Sequence, residues 1–192
     1  MTSEHEHLTT TATFSELGVP DDLVDVLDEQ GIIAPFPIQA LAIPDALDGR
    51  DICGRAKTGS GKTLAFGLPI VDRLHEADPK KPVALVLVPT RELCVQVSEA
   101  LAPLCKARGF SLLSIYGGVS MKNQVNALNR GVEVVVATPG RLLDLADRGA
   151  LSIGQVEMVV IDEADQMADM GFLPQVRFAM RQIERDHQTF LF

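Results

Sequence analysis

Apolar and polar positions along the chain alternate between two patterns. Short continuous apolar runs end in turns or polar residues, which is typical of strands buried on both faces of a sheet. Between these runs, apolar residues recur every three or four positions, which predicts amphipathic helices. Strands are predicted at residues 51–54, 83–88, 110–116, 132–137, 158–161 and 189–192. One helix is predicted to begin after Pro20, and three others cover residues 63–74, 119–129 and 174–185. Three further helices are predicted to end near Leu47, Lys106 and Asp147.

Strands that alternate with helices predict a three-layer α/β domain with a central, mainly parallel sheet. A chain of 192 residues is long enough for one such domain with a sizeable core. Ligands of parallel sheets bind at the carboxyl ends of the strands. The segments that directly follow each predicted strand are therefore the first places to look for chemistry.

One such segment, residues 56–63 and here named the glycine loop, lies between the first strand and a helix. It reads Ala56-Lys57-Thr58-Gly59-Ser60-Gly61-Lys62-Thr63. Its glycines allow backbone N–H groups to converge on phosphate oxygens, and the helix start adds a positive end. Lys62 would then reach the β- and γ-phosphates, and the Thr63 hydroxyl would bind Mg²⁺. The alternative interpretation is a Gly- and Ser-rich turn without a ligand.

A second segment, residues 162–165 and here named the acidic turn, follows the strand at 158–161. Asp162 at a strand end can hold Mg²⁺ through water. Glu163 beside it can orient and deprotonate an attacking water. The alternative is an ordinary acidic helix start, because carboxylates favour the first helical turn. The glycine loop elsewhere in the chain favours the catalytic interpretation, with Glu163, Lys62 and Asp162 as the catalytic set.

The net charge of −9 does not exclude a nucleic-acid partner. Ten of the 26 acidic residues fall within residues 1–49, which leaves 16 acidic residues against all 17 basic ones. Residues 1–13 are predicted to form a disordered acidic tail without a secretory signal. No apolar run is long enough to span a membrane. Cys53, Cys94 and Cys105 are predicted to be reduced thiols, the first two buried, in a cytoplasmic protein.

The acidic turn spells D-E-A-D, and the chain closely resembles the first RecA-like domain of DEAD-box RNA helicases from about Phe14 to Phe192. Further motifs of that family occur in the family's order. They are the Q motif at 31–39, motif I at 56–63, motif Ia at 89–93, the GG motif at 117–118 and motif Ib at 138–141. The resemblance implies a RecA-like P-loop NTPase fold.

The resemblance implies that ATP and Mg²⁺ are bound. Gln39 would contact the adenine edge, because an amide offers a donor and an acceptor together. Phe14 would stack on the base, although on composition it fits a core anchor. Two positions depart from the usual Q motif, since Ile32 stands where Phe is common and Phe36 where Thr is common. The nucleotide-binding set is Phe14, Gln39, Lys57, Thr58, Gly59, Ser60, Gly61, Lys62 and Thr63.

The resemblance also implies contacts with the RNA backbone that do not depend on base sequence. The residues concerned are Pro89, Thr90, Arg91, Gly117, Gly118, Thr138, Pro139, Gly140 and Arg141. Taken singly, Arg91 and Arg141 fit a helix start or an ion pair equally well. Asp165 would couple the domain to a second RecA-like domain, which is absent from this chain. The last strand, from Thr189, would lie between the glycine-loop strand and the Asp162 strand.

Three hypotheses follow for function. The first is the ATP-binding domain of an ATP-dependent RNA helicase, inactive in unwinding when isolated. The second is another P-loop enzyme, such as a DNA helicase or translocase, which the Q motif and D-E-A-D disfavour. The third is a non-enzymatic, nucleotide-gated RNA clamp, which intact Lys62 and Glu163 disfavour.

Overall fold

In a computed structural model of the protein, which describes residues 12–57 and 59–192, six parallel strands form one sheet in the order β1-β6-β5-β2-β4-β3. Their bounds are β1 Ile52–Cys53, β2 Ala84–Leu87, β3 Leu112–Ile115, β4 Val134–Ala137, β5 Met158–Ile161 and β6 Gln188–Leu191. The predicted order is confirmed, because β6 pairs with β1 on one side and β5 on the other.

Eight helices occur in the described part of the chain and cover the sheet. Their bounds are α1 Asp21–Glu29, α2 Pro37–Leu47, α3 Lys62–Arg73, α4 Arg91–Ala107, α5 Met121–Leu128, α6 Pro139–Asp147, α7 Ala164–Asp169 and α8 Leu173–Arg181. One hydrophobic core includes residues of α1 to α4, and a second includes residues of α5 to α8. The three-layer α/β prediction is therefore confirmed.

Strand β2 shows why a continuous apolar run was needed. Ala84 and Val86 belong to the first core, whereas Leu85 and Leu87 belong to the second. All four side chains are fully buried. Because successive residues of a strand point to opposite faces, a central strand with helices on both sides requires apolar residues at every position.

Three details differ from the sequence prediction. The short helix α7 was not predicted, because its six residues carry too few apolar positions to show a period. Cys53 is exposed, not buried, since it ends the edge strand β1. Leu191 was expected to be buried on both faces, yet it is 37% exposed at the carboxyl end of β6.

The two remaining thiols are buried as small core side chains. Burial raises the pKa of the Cys94 thiol to about 11 and that of the Cys105 thiol to about 12. Most of the predicted tail at residues 1–13 lies outside the described residues. Within the described part of the chain, none of the helices is both long and apolar enough to cross a membrane.

Strand β6 provides a matched test of this packing. Phe190 is fully buried and Leu191 beside it is 37% exposed. We expect Phe190→Ala to lower the free energy of unfolding by about 3–5 kcal/mol, because it removes a large core side chain and leaves a cavity. Leu191→Ala should cost about 1 kcal/mol or less. Urea denaturation measures both, and equal losses would contradict the central position of β6.

Candidate active site and nucleic-acid interface

Apart from Phe14 and Gln39, which precede the first strand, the residues predicted to be functional follow strands at one edge of the sheet, here named the carboxyl edge. The strand ends are level there, because Leu87 pairs with both Ala137 and Ile161, and Ile161 pairs with Leu191. The glycine loop follows β1 and the acidic turn follows β5. Residues 89–91, 117–118 and 138–141 follow β2, β3 and β4. The sheet order therefore separates the strands next to the predicted nucleotide residues, β1-β6-β5 and here named the nucleotide half, from those next to the predicted RNA residues, β2-β4-β3 and here named the RNA half.

The glycine loop has the backbone that its sequence predicts. Gly59 and Gly61 have φ values of 82° and 84°, in the left-handed region that favours glycine. The Gly61 residue also caps the start of α3. The predicted ligand Thr58 lies outside the described residues, and Lys57 is exposed.

Ser60 offers an observation that fits a bound phosphate. Its Oγ is buried and has no hydrogen-bond partner among residues 12–57 and 59–192. A buried hydroxyl without a hydrogen-bond partner is unfavourable. An acceptor such as a phosphate oxygen beside Ser60 would remove that cost. Space is also available, because a Cβ placed on Gly59 would meet no described atom within 4 Å. The loop residues present therefore fit a polyphosphate.

A buried ion pair connects the glycine loop to the acidic turn. The Lys62 Nζ donates to Glu163 Oε1 at 2.7 Å and lies 3.9 Å from Asp162 Oδ1. Glu163 has φ 54° and ψ 50°, which residues other than glycine rarely adopt. Such strain is typical of functional sites, where the fold holds a side chain in a required direction. All three predicted catalytic residues are thus brought together.

Asp162 is held in an environment that opposes its charge. The residue is 4% exposed, and burial raises the pKa of its carboxyl to about 6, while the Lys62 ammonium opposes the rise. Asp162 Oδ1 also accepts a hydrogen bond from the Glu163 N–H at 3.1 Å. A bound divalent cation would favour the ionised form of this carboxyl.

The donor set fits Mg²⁺ held jointly by protein and phosphate. The predicted protein groups are the Asp162 carboxylate and the Thr63 hydroxyl in the first turn of α3. No group of three or more His, Cys, Asp or Glu side chains in the described residues is arranged to hold a metal by itself. Mg²⁺ in phosphate sites characteristically uses one or two carboxylates together with substrate oxygens and water.

Gln39 links the Q motif to the glycine loop. Its Oε1 accepts from the Phe36 N–H at 2.8 Å, and its Nε2 donates to the Gly61 carbonyl at 2.9 Å. The side chain is 1% exposed. An amide nitrogen has two hydrogens and its oxygen two lone pairs, so these two bonds do not use the full hydrogen-bonding capacity of the amide. The adenine contact stays a prediction.

Phe14 lies in the core beneath α1 to α4 and is 2% exposed. Its backbone carbonyl accepts from the Val19 N–H at 3.1 Å, within a turn that Thr13 closes by accepting from the Glu16 N–H. The structure therefore gives Phe14 the packing role that composition alone suggests. A base-stacking role for Phe14 stays a prediction.

In the RNA half, the segments that follow β2 and β3 are in contact, although β4 lies between the two strands. The Thr90 hydroxyl accepts from the Leu93 N–H at 3.2 Å and so caps α4, which leaves the hydroxyl hydrogen available to a phosphate. Arg91 is exposed, and its guanidinium carbon lies 5.1 Å from the centre of the Tyr116 ring. This cation–π contact directs Arg91 towards the Gly117–Gly118 turn.

The ends of β3 and β4 are joined by Gln124, a residue that sequence reasoning missed. The Arg141 guanidinium donates to Gln124 Oε1 at 3.0 Å and to the Val119 carbonyl at 3.3 Å. Gln124 Nε2 in turn donates to the Tyr116 carbonyl at 3.3 Å. A single Gln on a helix carries no sequence signal for such a role. Thr138, Pro139 and Gly140 form the start of α6 beside this network.

A cleft of about 470 Å³ lies where the two halves meet. Its lining includes Thr90 from the RNA half and Glu163 from the nucleotide half. Asp165, the predicted coupling residue, also lines it and is exposed. A groove of larger volume, about 920 Å³, lies elsewhere, at the amino end of the sheet beside His75 and Glu157, and is lined by none of the predicted site residues.

A family model described as DEAD/DEAH box helicase matches residues 36–192. The chain belongs to the DEAD/DEAH box helicase family. It is 48% identical over 182 residues to the ATP-dependent RNA helicase DeaD of Buchnera aphidicola subsp. Acyrthosiphon pisum, covering 94% of this chain and 30% of that protein. It is 47% identical over 181 residues to DeaD of Escherichia coli K12, covering 94% and 29%.

Solved structures agree with this family assignment. The yeast DEAD-box splicing factor Prp28 superposes with a TM-score of 0.87 at 36% identity, covering 94% of this chain and 45% of that one. A hypothetical ATP-dependent RNA helicase from Sulfolobus tokodaii gives 0.82 at 36% identity, covering 89% and 49%. The chain spans about 30% of the length of these DeaD relatives.

The raised pKa of Asp162 predicts a pH-dependent stability in this helicase-family domain. Protonation favours the folded state, so this carboxyl contributes stability below pH about 4 that is lost as the pH rises through about 6. Asp162→Asn keeps the shape without the charge. The free energy of unfolding of Asp162→Asn minus that of wild type should be larger at pH 7 than at pH 4, by on the order of 1–3 kcal/mol.

Urea denaturation of the nucleotide-free protein in a chelator, at both pH values, measures this change. Asp165→Asn is the matched control, because Asp165 is an exposed carboxylate of the same turn. Its difference from wild type should stay within about 0.5 kcal/mol at both pH values. If the difference between Asp162→Asn and wild type does not vary with pH, burial does not raise the pKa of this carboxyl.

Proposed function

We propose that this chain is the N-terminal ATP-binding domain of a cytoplasmic, ATP-dependent RNA helicase. It binds ATP with Mg²⁺ and the backbone of single-stranded RNA, and it hydrolyses ATP to remodel RNA duplexes when joined to a second RecA-like domain. The observation that carries the proposal is the buried contact of Lys62 with Glu163 and Asp162 at the carboxyl edge. Family membership and the names of the DeaD relatives support it.

The nucleotide half supplies the groups that phosphate binding requires. The N–H groups of the glycine loop and the N-terminus of α3 would surround the phosphates, and Ser60 Oγ would gain a partner. Lys62 would leave its present contact with Glu163 and meet the β- and γ-phosphates. Mg²⁺, when bound beside Thr63 and Asp162, would neutralise part of the phosphate charge.

Release of Lys62 has a direct consequence for Glu163. While Lys62 donates to Glu163 Oε1, that oxygen is occupied by a cation. Transfer of the ammonium to phosphate would remove that contact, and the carboxylate would then orient a water and accept its proton. Substrate binding thereby prepares the general base, and the two events are coupled through one side chain.

The RNA half supplies groups suited to phosphate but not to base edges. Hydroxyls at Thr90 and Thr138, glycine N–H groups at residues 117–118 and the guanidinium of Arg91 all match backbone contacts. Binding should therefore be independent of RNA sequence. The remaining half of the RNA track and the arginines that complete phosphoryl transfer would belong to the second domain, since an arginine finger contributes about 10³–10⁵ in rate.

The decisive experiment is substitution of Glu163 in the full-length protein. Glu163→Gln should leave ATP binding within about threefold of wild type and lower RNA-stimulated turnover by about 10²–10⁴-fold, because an amide cannot accept the proton. Phosphate release gives turnover, and calorimetry gives binding. Lys62→Ala is the contrasting variant and should weaken binding as well. Unchanged turnover in Glu163→Gln would remove Glu163 from the mechanism.

Base preference tests the Q motif separately. The domain should bind ADP more tightly than GDP, because the Gln39 amide can pair with an adenine edge. Gln39→Ala should reduce that preference, and it should also loosen the glycine loop, since the contact with the Gly61 carbonyl is lost. Calorimetry with both nucleotides measures the ratio. Equal affinities of the wild-type domain for ADP and GDP would overturn the adenine assignment.

A further inference from the structure

Gln124 of helix α5 is bonded to both of the predicted RNA-binding segments that follow β3 and β4. It is 5% exposed, whereas the amides of Asn123 and Asn126 on the same helix are exposed. A buried amide is unfavourable unless its oxygen and its nitrogen are hydrogen-bonded. The groups that Gln124 binds therefore account for its burial, and those groups belong to the RNA half.

The two bonds of the Gln124 amide require a glutamine. Its Oε1 accepts from Arg141 Nη1 at 3.0 Å, and its Nε2 donates to the Tyr116 carbonyl at 3.3 Å. A guanidinium can only donate and a carbonyl can only accept, so the residue between them must offer an acceptor and a donor. A carboxylate would repel the carbonyl, and an ammonium would repel the guanidinium. The partners thus fix the orientation of the amide.

Arg141 is held through one nitrogen of its guanidinium. Its bonds to Gln124 and to the Val119 carbonyl both use Nη1. These bonds leave the hydrogens of Nε and Nη2, an edge whose parallel N–H groups match two oxygens of a phosphate. Asp144 Oδ2 lies 3.9 Å from Nε, beyond hydrogen-bond distance, and the Asp144 carboxylate binds Arg148 at 2.6 Å. Gln124 therefore fixes the guanidinium without using the edge suited to phosphate.

Fixing Arg141 has a consequence for affinity. An exposed arginine loses rotamer freedom when a ligand immobilises it, and this cost weakens binding. The Arg141 side chain is 14% exposed and already bonded, so much of the cost falls on folding and not on RNA binding. Arg91, the other predicted RNA arginine, lies over the Tyr116 ring. Because Gln124 binds the carbonyl of Tyr116, both arginines are positioned relative to the same residue.

We propose that Gln124 is a positioning residue for RNA binding. It holds the Arg141 guanidinium so that a phosphate of the RNA backbone meets a preformed site, and it does not touch the RNA itself. This inference rests on the proposed function, which places an RNA backbone at Arg141. Gln124 then acts only through the RNA half, and nucleotide binding at the glycine loop does not depend on it.

A double-mutant cycle in the full-length protein tests the inference, with fluorescence anisotropy of a labelled single-stranded oligouridine as the readout. Gln124→Met keeps the size of the side chain and removes both bonds. It should weaken RNA binding by about 3- to 10-fold, the range of one hydrogen bond. Arg141→Ala should weaken binding at least as much. In an Arg141→Ala background, Gln124→Met should change the affinity by less than about twofold, because the residue through which it acts is gone.

The salt dependence of binding gives a second readout. Each phosphate neutralised on a single strand contributes about 0.7 to the slope of log affinity against log salt concentration. Gln124→Met and Arg141→Ala should lower that slope by the same amount, up to about 0.7. An unchanged slope in Gln124→Met would mean that Arg141 keeps its phosphate without Gln124, and this overturns the inference.

Asn126→Leu is the matched control, because it also replaces an amide of α5 by an apolar side chain of similar size, at an exposed position. It should bind RNA as wild type does, and ADP binding measured by calorimetry should be unchanged in all variants.

Three results overturn the inference and leave the proposed function intact. The first is wild-type RNA affinity in Gln124→Met. The second is a full additional loss when Gln124→Met is combined with Arg141→Ala, since Gln124 would then act independently of Arg141. The third is loss of ADP binding in Gln124→Met, which would show a general effect on the fold. Wild-type protein that does not bind the RNA overturns the proposed function and the inference together.

Discussion

The contact of Lys62 with Glu163 and Asp162 depends on the whole nucleotide half of the sheet. The two sides of the contact come from the segments after β1 and β5, which are separated by β6. Cys53 pairs with Leu191, and Leu191 pairs with Ile161, so the two strand ends lie at the same level. A slip of β6 by one residue would move the glycine loop relative to the acidic turn. The last strand of the chain is therefore what sets the geometry of the candidate site.

This cluster is poorly explained as a device for stability. Burial of a charge pair carries a desolvation penalty that often exceeds the Coulombic gain. Here burial raises the pKa of the Asp162 carboxyl to about 6 in spite of the Lys62 cation. Glu163 adds a left-handed backbone conformation that disfavours a residue with a side chain. Unfavourable features concentrated at one point, supported by two well-packed cores, are characteristic of a functional site.

The fold was predictable because its main signals are local. The run at residues 83–88 had to be a doubly buried strand, and the glycine loop had to join a strand to a helix. The sequence could not show which side chains become exposed or come into contact because of their place in the sheet. Leu191 and Cys53 are as apolar as their buried neighbours, and only their places at the carboxyl edge expose them. Gln124 likewise becomes a link between strand ends only once β3 and β4 are paired.

The sequence was enough to predict which residues belong to the candidate site, but not which contacts they make with one another. The sequence indicated that Lys62 and Glu163 share a site, yet it could not indicate that they bind each other there. Nor could it show that the Q motif contacts the glycine loop through both Gln39 and Phe36, since these contacts span more than twenty residues. Those contacts arise where α2 packs beside α3.

The nucleotide half and the RNA half meet at the boundary between β5 and β2. Strands β5 and β2 pair directly, and the cleft between their ends is lined by Thr90 on one side and Glu163 on the other. A group that enters this cleft therefore contacts an RNA-half residue and the general-base candidate together. Coupling between distant sites requires an element with two arrangements that both sites bias. If Lys62 leaves Glu163 for phosphate, as proposed above, the acidic turn changes its contacts from the nucleotide side, while a ligand in the cleft beside Thr90 would meet the same turn from the other side.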